Sequence, residues 1–301
     1  MLHWRNPWAI LALFAAVLLT LVPGPAAAQT QERDMFVSAV NRAGEPVASL
    51  GPADFVIQED GRRREILRVR RATDLIDLAV LVDTSAAADQ QVNDLRMALE
   101  AFIGRMREQS HIALIEYGDR PRVLTDYTRD AGLLKTGLGM VFSKPGSGAY
   151  VLEALVDTLN GRKKRDAERS AAVVVWLGGR EFSTLGYDAV QSGLIAQGTA
   201  LHVVTVSRGA ASDAMTDEGR NRDRVFDTGS SLSGGSRRNV LSSMALKDAL
   251  DKVATELLAQ YRITYARPQT LIPPEKIDIR AARPDLTVRG TPVRVKAGPS
   301  K

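Results

Sequence analysis

The stretch Asp77-Leu78-Ala79-Val80-Leu81-Val82-Asp83-Thr84-Ser85-Ala86-Ala87 decides the fold. Leu78 to Val82 is an unbroken apolar run, the pattern of a strand buried on both faces. It stops at a carboxylate and two hydroxyls. Immediately beyond, Val92 to Met106 sets Leu95, Ala98, Leu99, Phe102, Ile103 and Met106 at helical spacing. Strand, polar turn and amphipathic helix form the first unit of an α/β fold. The rhythm continues through HIALIEYG from His111, AAVVVWL from Ala171 and ALHVVTV from Ala200 as strands. Helices are predicted over 131–140, 150–159, 187–197 and 246–258. The pattern predicts a doubly wound, mostly parallel sheet with helices on both faces. PRVLTDY, from Pro121, is predicted as a short edge strand.

Both flanks have a different rhythm. Residues 29–73 alternate in short β segments with turns at Gly44 and Asp60-Gly61. In RREILRVRR, Ile66 and Val69 are expected to point roughly one way, with the arginines mostly outward. Residues 267–301 hold three short strands separated by prolines, expected to join the N-terminal segment in a small β unit or to extend the sheet edge. The α/β domain is assigned to 74–266. Within it, 207–243 is rich in Gly, Ser, Arg and Asp and is predicted as a loop, either mobile or a long excursion from the last crossover. Gly161 to Glu168 is predicted as a basic surface loop.

The N-terminus carries an export signal. Arg5 precedes the apolar run Ala9 to Val22, which is too short to span a bilayer, and Ala26-Ala27-Ala28 follows a Pro-Gly-Pro break. Cleavage after Ala28 is expected, leaving a periplasmic or secreted chain with no membrane span. It removes one Arg and no acid, so the net charge falls by one from +5. That mild balance does not call for nucleic acid. The 301 residues contain no cysteine, which excludes disulfides, thiolate metal sites and a Cys nucleophile.

Ligands of open α/β sheets gather outside the carboxyl ends of the strands. Asp83 and Ser85 stand there. The pattern resembles a von Willebrand factor A (vWA) domain, whose D-x-S-x-S loop holds a divalent ion with a Thr from a second loop and an Asp from a third. The wider chain is similar to the bacterial VWFA-related domain proteins. Those open on G-x-P-V-x-x-L-x-x-x-D-F-x-V-x-E-D-G, matched from Gly44 to Gly61. They close on Q-Y-x-x-x-Y and L-x-V-R, matched at Gln260–Tyr265 and Leu286–Arg289. The resemblance covers about 34–295.

At the metal site the match fails. Asp83 and Ser85 keep the first two ligand positions, but the third is Ala87. The Thr position falls on Ala149 in S-G-A-Y-V-L-E-A, and the Asp position falls on Gly178 in Leu177-Gly178-Gly179. Hard cations need oxygen ligands and charge compensation, so the resemblance implies a degenerate metal-ion-dependent adhesion site. No cofactor is expected; weak Mg²⁺ binding is the most these remnants allow. Glu181 and Asp89 are the nearest replacement ligands. Without a cation, Asp83 is expected to cap the next helix or to pair with an arginine such as Arg180.

No Walker A loop, H-E-x-x-H or G-x-S-x-G elbow is present. His111 and His202 are expected to pack in or beside strands. The Ser-rich stretch from Ser230 to Gly235 has no base beside it in sequence; a hydrolase would use Ser231 or Ser233. Arg62, Arg63, Arg64, Arg68, Arg70 and Arg71 are candidate contacts for an anionic partner, as is the basic run Arg162 to Arg165, against the plainer reading of solvated faces. These features predict an exported, non-catalytic module with an unidentified protein partner. The alternative is a divalent-metal-dependent adhesion protein with an atypical ligand set.

Overall fold

The computed structural model describes residues 30–206, 213–269 and 272–294. The predicted signal segment lies outside them. In chain order, the first strands are β1 (Thr30–Val40), β2 (Phe55–Glu59), β3 (Arg62–Arg64) and β4 (Ile66–Arg71). The α/β part runs β5 (Ile76–Val82), α1 (Val92–Met106), β6 (Ser110–Glu116), β7 (Arg122–Thr128), α2 (Ala131–Gly139), α3 (Val151–Arg162), β8 (Arg169–Trp176), α4 (Tyr187–Gln197) and β9 (Thr199–Val206). It continues with α5 (Asp217–Arg224), β10 (Arg237–Val240) and α6 (Leu246–Leu258). The chain closes on β11 (Tyr261–Pro268), β12 (Ile277–Ala281) and β13 (Thr287–Pro292).

The central sheet has the order β10-β9-β8-β5-β6-β7, parallel throughout except for the edge pair β6–β7. Its strands feed two separate cores. On β5, Ile76, Leu78, Val80 and Val82 face α1 and α6, while Ala79 and Leu81 face α3 and α4. Because side chains alternate across a strand, a run buried on both faces must be apolar at every position. This accounts for Leu78 to Val82.

The flanks pair with each other. β1 lies between β11 and β13, and β4 pairs the far side of β11, in an antiparallel sheet ordered β13-β1-β11-β4. A second sheet, β12-β2-β3, covers it over a core of Met35, Val37, Phe55, Ile57, Tyr261 and Ile263 among others. Thus β11, assigned from sequence to the α/β domain, belongs to this β unit; Tyr261–Pro268 has no partner in the central sheet. Its ring anchors the unit: the Tyr261 hydroxyl donates to Val47 O at 2.9 Å and accepts from Leu50 N–H at 3.3 Å. The register of β4 on β11 slips between Thr264 and Tyr265, leaving Leu67 as the extra residue. That bulge lets Ile66 and Val69, three apart, both pack on the β core.

The segment predicted as a long loop is ordered over its described part. Besides α5 and β10, Val225–Gly229 forms a π-helical turn. Two anchors hold it. Val225 and Phe226 are buried, with Phe226 edge-on to Trp176 at 5.7 Å. Arg222, itself buried, pairs with buried Asp213 at 2.6 Å and stacks over Trp176 at 4.6 Å. A composition rich in charge looks solvated in sequence because nothing there shows that one of those charges is neutralised inside.

Candidate functional site

The first loop leaves β5 at Asp83, which has 0% exposure. Its carboxylate accepts the Ser85 N–H at 2.9 Å and the Leu177 N–H at 3.0 Å. The Gly179 N–H and the Ser85 hydroxyl add to these. Burial pushes the carboxyl above its ordinary value, and these donors pull it back. Asp83 therefore neither caps a helix nor pairs with Arg180, as the sequence had suggested. It ties the first loop to the loop after β8 through backbone donors. The cap is Ser85, which accepts from Ala87 N–H at 3.4 Å ahead of a 3₁₀ turn.

Three loop tops are then knitted together above it. Asp119 N–H donates to Gly148 O at 2.9 Å, Ala149 N–H to Arg180 O at 2.8 Å, and Phe182 N–H to Ala149 O at 2.8 Å. Gly118, Ala149 and Glu181 form isolated β-bridges across these rungs. The close approach explains two glycines. A Cβ on Gly118 would overlap the Thr84 backbone, and one on Gly179 would overlap Ser85 Oγ.

The underside of this layer is buried and rich in charge. Ala149 sits in the hydrophobic core. Glu181 is 1% exposed; it accepts the Ser183 N–H at 3.1 Å through Oε1, while Oε2 has no hydrogen-bond partner. Burial raises its carboxyl to about 8, against the pull of Ser183 and Arg222. Asp213 accepts the Glu181 N–H at 2.7 Å on the oxygen that also meets Arg222. Tyr117 donates to Val175 O at 2.6 Å and stacks parallel to Trp176 at 6.2 Å. Burial, reinforced by Asp83 and Glu181, holds its phenol well above the ordinary value.

The residues present do not fit a divalent ion. Asp83 spends its oxygens on backbone donors, Gly179 lies against Ser85, and Ala149 offers a methyl group to the core. Among the described residues no group of three or more His, Asp or Glu could hold a metal. Of the two suggested replacements, Glu181 points into the buried layer, and Asp89 accepts the Ser143 hydroxyl at 3.0 Å on the outside.

The arginine run does not form one patch. β3 and β4 are both sheet edges, and arginines there block edge-to-edge pairing. Arg64 pairs with buried Glu59 at 2.9 Å, Arg68 with Glu32, and Arg70 with Asp74 at 3.7 Å. Arg71 donates to Ala259 O at 2.7 Å and stacks on Tyr261. Arg62 and Arg63 remain exposed. The basic loop is also partly structural: buried Arg162 and half-buried Arg165 both reach buried Asp77, at 3.7 and 2.7 Å.

His111 lies 3.6 Å from the same Asp77. His202 is fully buried, with Nδ1 at 3.0 Å from Ser236 Oγ and Nε2 without a partner. Burial pushes it down to about 4. Ser236 in turn reaches Glu256 at 3.4 Å, so its hydroxyl bridges the two groups rather than being activated by an oriented imidazole. Ser233 accepts the Leu201 N–H at 2.9 Å from inside the fold. Sequence reasoning missed Tyr117, Asp213, Arg222 and Phe182. Only the isolated Val225-Phe226 pair inside a polar segment hinted that this region is anchored.

No curated protein matches the chain at a significant level. Among solved structures, a von Willebrand factor type A protein from Catenulispora acidiphila is 9% identical (90% of this chain, 74% of that one, TM-score 0.48). The vWF domain of the type V pili tip protein Mfa5 from Porphyromonas gingivalis is 19% identical with a TM-score of 0.32. That match covers 35% of this chain, which spans only 38% of the Mfa5 domain. The conserved hypothetical protein BatB from Bacteroides thetaiotaomicron is 15% identical (60% and 98%, TM-score 0.44). Likenesses this distant carry no argument about function. The sequence match is more direct: residues 78–181, from the middle of β5 through the loop after β8, match the family described as von Willebrand factor type A domain. With the parallel sheet and the loop order already in place, it is this segment, about a third of the chain, that is similar to a von Willebrand factor type A domain.

Proposed function

We propose that the chain is an exported, non-catalytic protein-interaction module that works without a metal ion. One observation supports this above the rest: the loop that would hold an ion is closed by backbone donors to Asp83 and by Gly179 packed on Ser85. A carboxylate whose lone pairs are taken, beside a methyl group and a main-chain lid, has no coordination position to offer. The non-catalytic reading rests on a different cluster. The buried His202 and Glu256 and the part-buried Ser236 between them bond to one another within the fold. Export rests on the N-terminal sequence from Arg5 to Ala28. Among the described residues no helix is long and apolar enough to cross a membrane.

Thermal melting with Mg²⁺, Mn²⁺ and Ca²⁺ tests the metal clause. An ion present at 100 times its Kd would add about 2.7 kcal/mol of stability. No shift is expected with any of the three. A rise reversed by EDTA would replace this reading with metal-dependent adhesion. Affinity capture from the envelope fraction, with and without EDTA, tests the interaction clause, and a specific partner retained in EDTA is the expected result.

A further inference from the structure

The upper face of the three-loop layer carries a second feature. With Ala149 and Glu181 turned inward, their neighbours Tyr150, Arg180 and Phe182 lie on the outer side. Phe182 is 41% exposed, an unusual place for a phenylalanine. It is nonetheless not loose. Its ring lies on the Gly148 backbone, where any Cβ would overlap it, and it stacks on Tyr150 at 6.2 Å and 28°. The Arg180 guanidinium lies over the Phe182 ring, 5.1 Å from its centroid. No acid pairs with Arg180 among the described residues. Arg120 and Asp119 are exposed at the rim, and no ion pair joins them to it or to each other.

We infer that Tyr150, Arg180 and Phe182 form a preorganised docking platform for a carboxylate-bearing segment of a partner protein. This deepens the interaction reading above and rests on it. The occupant follows from charge and shape. A guanidinium stacked on a ring keeps its N–H edge free, and that planar fork matches a carboxylate. The flat ring pair beside it takes an apolar neighbour of the acid. Aromatic residues with arginine carry most of the energy in protein interfaces. The backbone rungs under all three residues mean that little ordering remains to be done on binding.

The test uses the purified chain in EDTA and a phage-displayed library of random dodecapeptides. Enriched peptides are expected to carry Asp or Glu beside an apolar residue. Synthetic versions should bind at least tenfold more weakly to Arg180→Ala and to Phe182→Ala. Arg180→Lys should also lose most of the affinity, since it keeps the charge but not the fork. Changing the peptide's acid to its amide should cost as much as Arg180→Ala. Gly148→Ala should weaken binding by displacing the ring, with the melting curve checked for folding. Acid-bearing binders indifferent to Arg180 and Phe182 would overturn the platform and leave the interaction reading standing. Enrichment without acids would overturn the platform in the same way. A selection that yields no binder would count against both. Heparin, run in parallel, should bind no more weakly to Arg180→Ala; an equal loss there would reassign the site to polyanions.

Discussion

Glu181→Gln is the sharpest test of the buried layer. Glu181 is 1% exposed, one of its oxygens has no partner, and its carboxyl is raised from 4.5 to about 8. Below the unfolded value both states are protonated and the group costs nothing. Between 4.5 and 8 the unfolded chain loses its proton while the folded chain keeps it, so stability falls as pH rises through that window and levels off above it. At about 1.4 kcal/mol per pH unit, the loss is about 3 kcal/mol at pH 7 and about 5 kcal/mol above pH 9. Glutamine has nearly the same shape and no titration, so the variant should escape that loss. Urea denaturation of both proteins at pH 4.5, 7 and 9, at fixed ionic strength, measures it. Other groups titrate in both proteins and cancel in the difference. Glu181→Gln is expected to match wild type at pH 4.5 and to be the more stable by a margin that grows with pH. A difference that stays constant across the series would show that Glu181 is ionised in the fold and would refute the reasoning.

Three further outcomes are expected. Gly179→Ala should destabilise by about 1–3 kcal/mol, because the added methyl overlaps Ser85 Oγ in a closed loop; equal denaturation midpoints would show that the lid is slack. Asp213→Asn should cost about 1–3 kcal/mol, because buried Arg222 loses one carboxylate partner and keeps only the more exposed Asp223, and should make 213–229 the first site of limited proteolysis; cleavage elsewhere first would place the anchor in Val225 and Phe226 alone. The His202 imidazole, held down to about 4 by burial, should show no NMR titration between pH 8 and 5; a midpoint near 6.5 would mean that Ser236 and Glu256 do not enclose it.

The sequence by itself determined the α/β part. Leu78 to Val82 could only be a strand covered on both faces, and Leu95 to Met106 only a helix packed on one, because local periodicity and burial are two aspects of one constraint. It also placed residues without a side-chain oxygen, Ala87, Ala149 and Gly178, at the three positions where the resemblance expects a ligand. The tertiary structure alone decided three things. It moved β11 into the β unit, because an isolated strand does not reveal its partner until the register is set. It ordered 213–240 through an ion pair between Asp213 and Arg222 and the packing of Arg222 on Trp176, none of which local composition can report. And it turned the remnant at Asp83 and Ser85 from an open edge into a closed joint. Whether a carboxylate binds an ion or a backbone depends on what the other loops bring within reach of it, and the Leu177 N–H that Asp83 accepts at 3.0 Å comes from 94 residues away in the chain.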